Sequence, residues 1–588
     1  MKKIFLFLAS ISVSVANAKE NVNVHPRAKT AQQKLLSNCT PTTAQADLDI
    51  ANVRTKIQVG GDMWWDFNDP KYEVPKNSGK HSIFAGSVWV GGYDGNGNLK
   101  AAAQTYRQNS GNDYWGGPAS NLAGVVDIDA ARCTQFDRLW KVTRAEVQTF
   151  INTGTSTNDI LTWPGNGNIA NGELQNLAPY VDLNGNNVFD SGTDYPKYNF
   201  SPTLPSGTFC YEYLQGDQSL WWVFNDVGNV KTETTSQPIG LEVRAQAYAF
   251  LTGTSIDNCT FYQYQIINRS NIGLDSTYFG VWTDPDVGDY FDDYVGCDID
   301  RGIGFCYNGD LDDGTGTAAG YGTNPPAIGV DFLHGPFADP NDGIDNDRDG
   351  TTDEIDEDII MSDFLKYDNI NNAATGNPTD LDDYYQYLSG SWCDGSRWTY
   401  GGSGFNPGST NYVNFIFPGT TDPNNPGNWD EVTAGNVPGD RRFLQSAGSF
   451  TMMPGAVNYI TTSVIWARGN NGPQSSVSAM LALNDTVQNF FNSCFNTIAI
   501  GIIDESKDVK HSVYPNPFNL QTVIKLEDEI KTELILEIFD NKGKIVEEVK
   551  SDNSQFVIKR KNKTDGIYLY QIKNNRKVIA SGKLVISR

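Results

Sequence analysis

Histidine is nearly missing from this chain. Only four occur among 588 residues, and His25 and His511 fall in an N-terminal stretch and a linker, which leaves His81 and His334 for any chemistry that needs an imidazole. The sequence has no G-x-S-x-G elbow, no H-E-x-x-H pair, no P-loop and no G-x-G-x-x-G between a strand and a helix. Histidine-dependent hydrolysis and phosphate-loop chemistry therefore have no anchor. Bases are scarce too: 44 Lys and Arg stand against 70 Asp and Glu, for a formal net charge of −26. Such an acidic chain repels a phosphate backbone, so nucleic acid is a poor partner and cations are the natural one. No apolar run reaches the roughly 18 residues a membrane helix needs, so no transmembrane segment is expected in the mature chain. No segment recurs at a fixed period, which removes the solenoids.

What is present divides the chain. Met1-Lys2-Lys3, the short apolar run Ile4 to Val15 and the small residues Ala16-Asn17-Ala18 read as a signal peptide over residues 1–18. From Lys507 onward the balance is basic, 16 Lys and Arg against 11 Asp and Glu, so the acidic excess belongs to the segment before it. That step separates an acidic body, residues 19–497, from a C-terminal module, residues 512–588, across a linker at 498–511. All eight cysteines lie in the body, at positions 39, 133, 210, 259, 297, 306, 393 and 494. An even count behind a signal peptide points to disulfides formed in an oxidising compartment. None sits in a zinc-type grouping. The pair expected to join is Cys297 with Cys306, across a short loop holding Gly302 and Gly304.

Strands dominate the local signals. Ser82 to Val90 and Leu99 to Tyr106 flank Asp94-Gly95-Asn96-Gly97-Asn98, a hairpin written in turn residues. Leu220 to Phe224, Leu241 to Phe250, Phe261 to Ile267, Tyr278 to Trp282 and Tyr459 to Trp466 are β-branched and aromatic runs. Helical spacing recurs at Arg144 to Ile151 and Val477 to Phe491. The expected class is mainly β: a large β-sandwich-type body with long loop insertions and few helices, followed by a small C-terminal β-sandwich.

The C-terminal module opens Val513-Tyr514-Pro515-Asn516-Pro517-Phe518-Asn519 and closes with Gly566-Ile567-Tyr568-Leu569-Tyr570 and Gly582-Lys583-Leu584-Val585-Ile586. It resembles the C-terminal sorting domain of the type IX secretion system of Bacteroidota. The resemblance implies export, with the secretion machinery as the partner of residues 512–588 and the outer surface or medium as destination. Body segments such as Gly60 to Trp65, Gly79 to Ser82, Tyr294 to Asp298 and Arg442 to Gly448 resemble large secreted Bacteroidota proteins of unassigned activity, which implies nothing about chemistry.

One body motif carries chemistry. Asp345, Asp347 and Asp349 occupy positions 1, 3 and 5 of a loop, Gly350 makes the turn at 6, Thr351 offers a carbonyl at 7, and Asp353 and Asp356 fall at 9 and 12. Alternating oxygen donors around a glycine turn wrap one hard cation, and calcium is the expected ion. The loop resembles those of EF-hands and thrombospondin type 3 repeats, although Asp356 replaces the bidentate Glu and no amphipathic helices flank it. Asp182, Asn184, Asn186, Asp190 and Asp194 form a second calcium candidate that lacks the position-6 glycine and also reads as an Asx-rich turn. Asp284, Asp286, Asp289, Asp292 and Asp293 lack regular spacing and read as a solvated loop.

Trp64-Trp65 and Trp221-Trp222 are candidate sugar platforms, but neighbours on a strand face opposite sides, and packing against the two sheet faces is the stronger expectation. The function these residues support is a secreted or cell-surface body, stabilised by calcium, with a binding, adhesion or structural role toward a polysaccharide or other surface ligand. The alternative is a secreted hydrolase of polysaccharide, whose two carboxylates such an acid-rich chain does not single out.

Overall fold

The computed structural model describes residues 38–107, 110–200, 210–314, 319–495, 511–526, 534–539, 544–551, 553–561, 563–574 and 577–587. The stretch read as a signal peptide, residues 1–18, and all but the last residue of the expected linker at 498–511 lie outside them.

Two antiparallel sheets face each other in the body. The first has eight strands, in the order Gln45–Leu48, Thr55–Gln58, Asp62–Met63, Ala85–Asp94, Leu274–Asp284, Arg441–Met452 and Asp363–Asp368, with Leu99–Ala102 also paired to Ala85–Asp94. The second has nine, in the order Asp293–Asp298, Ile303–Asn308, Ala327–His334, Val457–Ala467, Cys259–Asn268, Leu241–Ala249, Gln218–Asn225 and Trp115–Gly116, with Trp140–Thr143 joining Gln218–Asn225. Each strand run read from the sequence appears. The hairpin turn forms because the Asp94 carboxylate accepts the Asn96 and Asn98 N–H groups while Gly97 takes φ 77°, a left-handed angle that suits glycine.

The main core lies between the sheets. Val88, Val90, Phe279, Val281 and Phe443 of the first meet Val243, Tyr262, Tyr264, Val330 and Val464 of the second. Period-2 alternation predicts one wet face, yet Gln218–Asn225 and Asp293–Asp298 are buried at every position. Their outer faces are covered as well. The helix Pro473–Asn492 packs Met480, Leu483, Val487 and Phe490 onto the second sheet, and the helix Leu381–Leu388 with its following loop covers the first. Both anticipated helices form. Arg144–Thr153 starts on a Thr143/Glu146 capping box and stops at left-handed Gly154.

Covering both faces decides the fate of the tryptophans. Trp64 and Trp222 enter the inter-sheet core, while Trp65 and Trp221 pack into the clusters outside the first and second sheets. All four are at most 3% exposed.

Disulfides join Cys39 to Cys133 and Cys210 to Cys494. The expected Cys297–Cys306 link is absent, and both are buried thiols, as is Cys259, with Cys393 half-buried. Cys297 stands opposite Gly304 and Cys306 opposite Val295, so the turn sets the two cysteines diagonally, beyond disulfide reach.

In the tail, strands His511–Tyr514, Gln521–Leu526 and Gln555–Lys559 form one sheet, and Ile545–Ser551, Leu534–Phe539, Gly566–Asn574 and Lys577–Ile586 form another. Gln555–Lys559 alternates exposed and buried residues, and its inner face joins Leu536, Ile538 and Ile572 in a separate core.

Candidate cation loops and an adjoining cleft

The Asp345 loop turns its acids inward. Asp345, Asp347 and Asp349 each bring a carboxylate oxygen to within 4.8 Å of the others. Backbone N–H groups hold them there: Gly350 donates to Asp345 Oδ2 at 3.0 Å, Asp349 to Asp347 Oδ1 at 3.0 Å, and Thr351 to Asp349 Oδ1 at 2.8 Å. Gly350 takes φ 98°, which is why the sharp turn needs glycine. Arg348, the one base in the loop, points away. Its guanidinium donates to the carbonyls of Ile299 and Met361 at 3.1 and 2.6 Å and lies over the Phe415 ring, clipping the loop to the sandwich without neutralising its centre. Asp345 Oδ1 is buried and meets no protein donor. Burial, with Asp349, Asp358 and Glu354 nearby, pushes the Asp347 carboxyl up, although the Asp349 N–H opposes this.

The other sequence candidates lie outside this trio. Asp353 accepts the Gly343 N–H at 3.0 Å, and Thr351 and Asp356 are exposed. Two acids enter that spacing did not rank: Glu354, whose buried Oε2 has no partner, and Glu357, which accepts the Asn346 N–H at 2.5 Å.

In the second loop the oxygens are largely spent. Asp182 accepts the Gly185 and Asn187 N–H groups, both at 2.7 Å, and Asp190 accepts the Asn184 and Asn186 amides at 2.7 and 2.8 Å. Buried Asp194 accepts the N–H groups of Leu183 and Asp190.

The third acidic run is not a solvated loop. Asp284 and Asp293 are buried. Asp284 Oδ2 accepts the Tyr106 hydroxyl at 2.6 Å and the Arg442 guanidinium at 3.1 Å, and Asp286 and Asp440 stand beside it. The sequence could not foresee Arg442 and Asp440, which arrive from a strand end more than 150 residues away.

A cleft of about 550 Å³ opens on the outer face of the second sheet. Its floor follows two cross-strand rows, Arg244–Gln265–Tyr459 and Trp221–Gln246–Gln263. The glutamine amides are fixed by their nitrogens: Gln246 Nε2 donates to Ser219 Oγ at 2.7 Å, Gln263 Nε2 to the Tyr211 carbonyl at 3.1 Å, and Gln265 Nε2 to the Tyr459 hydroxyl at 3.0 Å. Tyr211 stacks on Tyr459 with ring centroids 3.8 Å apart. Asp182 and Asn187 reach one rim, so the second Asx-rich loop forms part of a wall. Sequence reasoning missed this site because its residues come from segments far apart in the chain.

The comparisons define a class through the tail. Residues 512–587 match the family model of the secretion system C-terminal sorting domain. The chain is therefore a type IX secretion cargo, delivered outside the cell or to its outer surface. No helix among the described residues is long and apolar enough to cross a membrane. No curated protein matches the chain. Among solved structures, a polysaccharide lyase aligns at 8% identity and a TM-score of 0.17, covering 59% of this chain and 34% of that one. The chain thus spans about a third of that structure's length, and a likeness this slight carries no argument.

Proposed function

We propose that the acidic body, residues 19–497, is a calcium-ordered binding module that the sorting domain carries outside the cell across the linker at 498–511. The observation that carries this reading is the convergence of Asp345, Asp347 and Asp349 around a buried oxygen, Asp345 Oδ1, that meets no donor. Crowded carboxylates repel one another and oppose folding unless a cation bridges them. Oxygen-only donors on a flexible glycine turn suit calcium in preference to softer metals. In the first loop Asp345, Asp347 and Asp349 would hold the ion, with Thr351, Asp353 and Asp356 as the remaining sequence candidates. The second loop gives both oxygens of Asp182 and of Asp194 to backbone N–H groups, so the proposal is confined to the first.

A hydrolase reading fits less well. The carboxylates lining the cleft are Asp182 and Glu212, and Asp182 commits both oxygens to its own turn, where a glycosidase needs an acid and a base or nucleophile free to face the scissile bond.

Calcium at about 10 mM should raise the melting temperature of the body by roughly 1–3 °C, given affinities of about 10⁻⁴ to 10⁻³ M for extracellular modules and the large unfolding entropy of so long a chain. Chelator should reverse the rise. Replacing Asp347→Asn and Asp349→Asn together keeps the shape, weakens the ligand field and should remove most of the response. Calorimetry in which wild type and double variant respond equally to calcium would refute the assignment.

A further inference from the structure

The cleft on the second sheet is built for a ligand of definite chemistry. Its three floor glutamines each give their Nε2 to a protein acceptor, and among the described residues no protein donor reaches their Oε1 atoms. Neighbouring strands lie about 4.8 Å apart, so Gln246 and Gln263, paired across two strands, present carbonyl acceptors as adjacent rungs. One donor complements them. Arg244 is tied through Nε to Glu242 at 2.8 Å and through Nη1 to the Leu177 carbonyl at 3.3 Å, while its buried Nη2 has no partner. Beside these polar groups the Tyr211–Tyr459 pair supplies a flat aromatic edge.

Charge narrows the class. Lys197 pairs with Glu212 at 3.4 Å and Arg244 with Glu242, so each basic group of the lining already has a carboxylate. The cleft therefore has no unpaired base to hold an anionic ligand, and Asp182 at the rim, which accepts only backbone N–H groups, keeps a negative charge that repels one. The cleft lies on a sheet face and offers no open strand edge, which removes peptide capture by strand addition. Hydroxyls both donate to carbonyls and accept from a guanidinium, and the apolar faces of sugar rings pack on aromatic rings. We infer that this cleft binds an uncharged saccharide chain.

The walls are held before any ligand arrives. The Cys210–Cys494 disulfide anchors the turn bearing Tyr211, and the Arg244–Leu177 hydrogen bond fastens the opposite wall. A preformed site loses less ordering entropy on binding. The inference rests on the binding role proposed above and is independent of the calcium loop.

Titration calorimetry of the full chain, in calcium and again in chelator, would use cello-, xylo-, manno- and maltohexaose, with hexagalacturonate as the anionic comparison. At least one neutral hexaose should bind saturably, and more tightly than hexagalacturonate. Gln265→Met keeps volume but removes the acceptor and should weaken binding about tenfold, the loss of roughly one good hydrogen bond. Tyr459→Ala should weaken it further, with melting temperature as the folding control; if it unfolds, Gln265→Met decides. Binding that persists in chelator would support the cleft even where the calcium proposal fails. Absence of binding to all four neutral hexaoses, preference for hexagalacturonate, or full affinity in Gln265→Met would each overturn the inference.

Discussion

Asp363 shows how burial changes the meaning of a residue. It is 3% exposed and accepts the Ser362 hydroxyl at 2.8 Å. Burial pushes its carboxyl up to about 7, against the opposing pull of Ser362, Arg397 and Arg348. The folded value lies above the unfolded one, so the folded protein keeps a proton that the unfolded chain has released. The contribution is fully present below about pH 4 and is lost as pH rises toward 7, with a slope of about 1.4 kcal/mol per pH unit for one proton. Asp363→Asn stays neutral throughout and should flatten that part of the profile. Urea midpoints from pH 4.5 to 7 in chelator would measure it, and identical slopes in wild type and variant would show that Asp363 is ionised. Composition displays an abundance of aspartate; which aspartates leave water is a property of the packing.

At the scale of elements, local patterning was readable and pairing was not. The runs at Leu220, Leu241, Phe261, Tyr278 and Tyr459 became strands because β-branched and aromatic side chains fit a pleated, half-buried surface. Cysteine pairing depends on which strands meet and in what register. A hairpin offset of two residues separates Cys297 from Cys306, while Cys210 finds Cys494 across 284 positions. Non-reducing peptide mapping should recover Cys39–Cys133 and Cys210–Cys494 as linked peptides, with Cys259, Cys297 and Cys306 alkylated only after unfolding. A linked Cys297–Cys306 peptide would contradict the register. Replacing Cys210→Ser and Cys494→Ser together should cost about 2–5 kcal/mol of stability and loosen the wall that carries Tyr211.

For the whole molecule, the sorting domain separates destination from activity. It has its own core, built from Ile524, Leu536, Phe556 and Tyr570 among others. Removing residues 510–588 should leave the body folded but retained in the periplasm, as fractionation of the truncated chain would show. Normal appearance of that chain outside the cell would contradict the address.

The sequence by itself determined the export address, the β class, the hairpin at Asp94 and the acid spacing around Gly350, because each is written within a short window where side-chain type and local backbone geometry decide the outcome. Tertiary structure alone decided the rest. Trp64 and Trp65 divide between two cores only because helices and loops cover both outer faces of the sandwich. Asp284 meets Arg442, and Tyr211 meets Tyr459, across long stretches of chain. The cleft exists where four strands from separate segments align their glutamines and aromatics in register, and such long-range registration leaves no local signature in the chain.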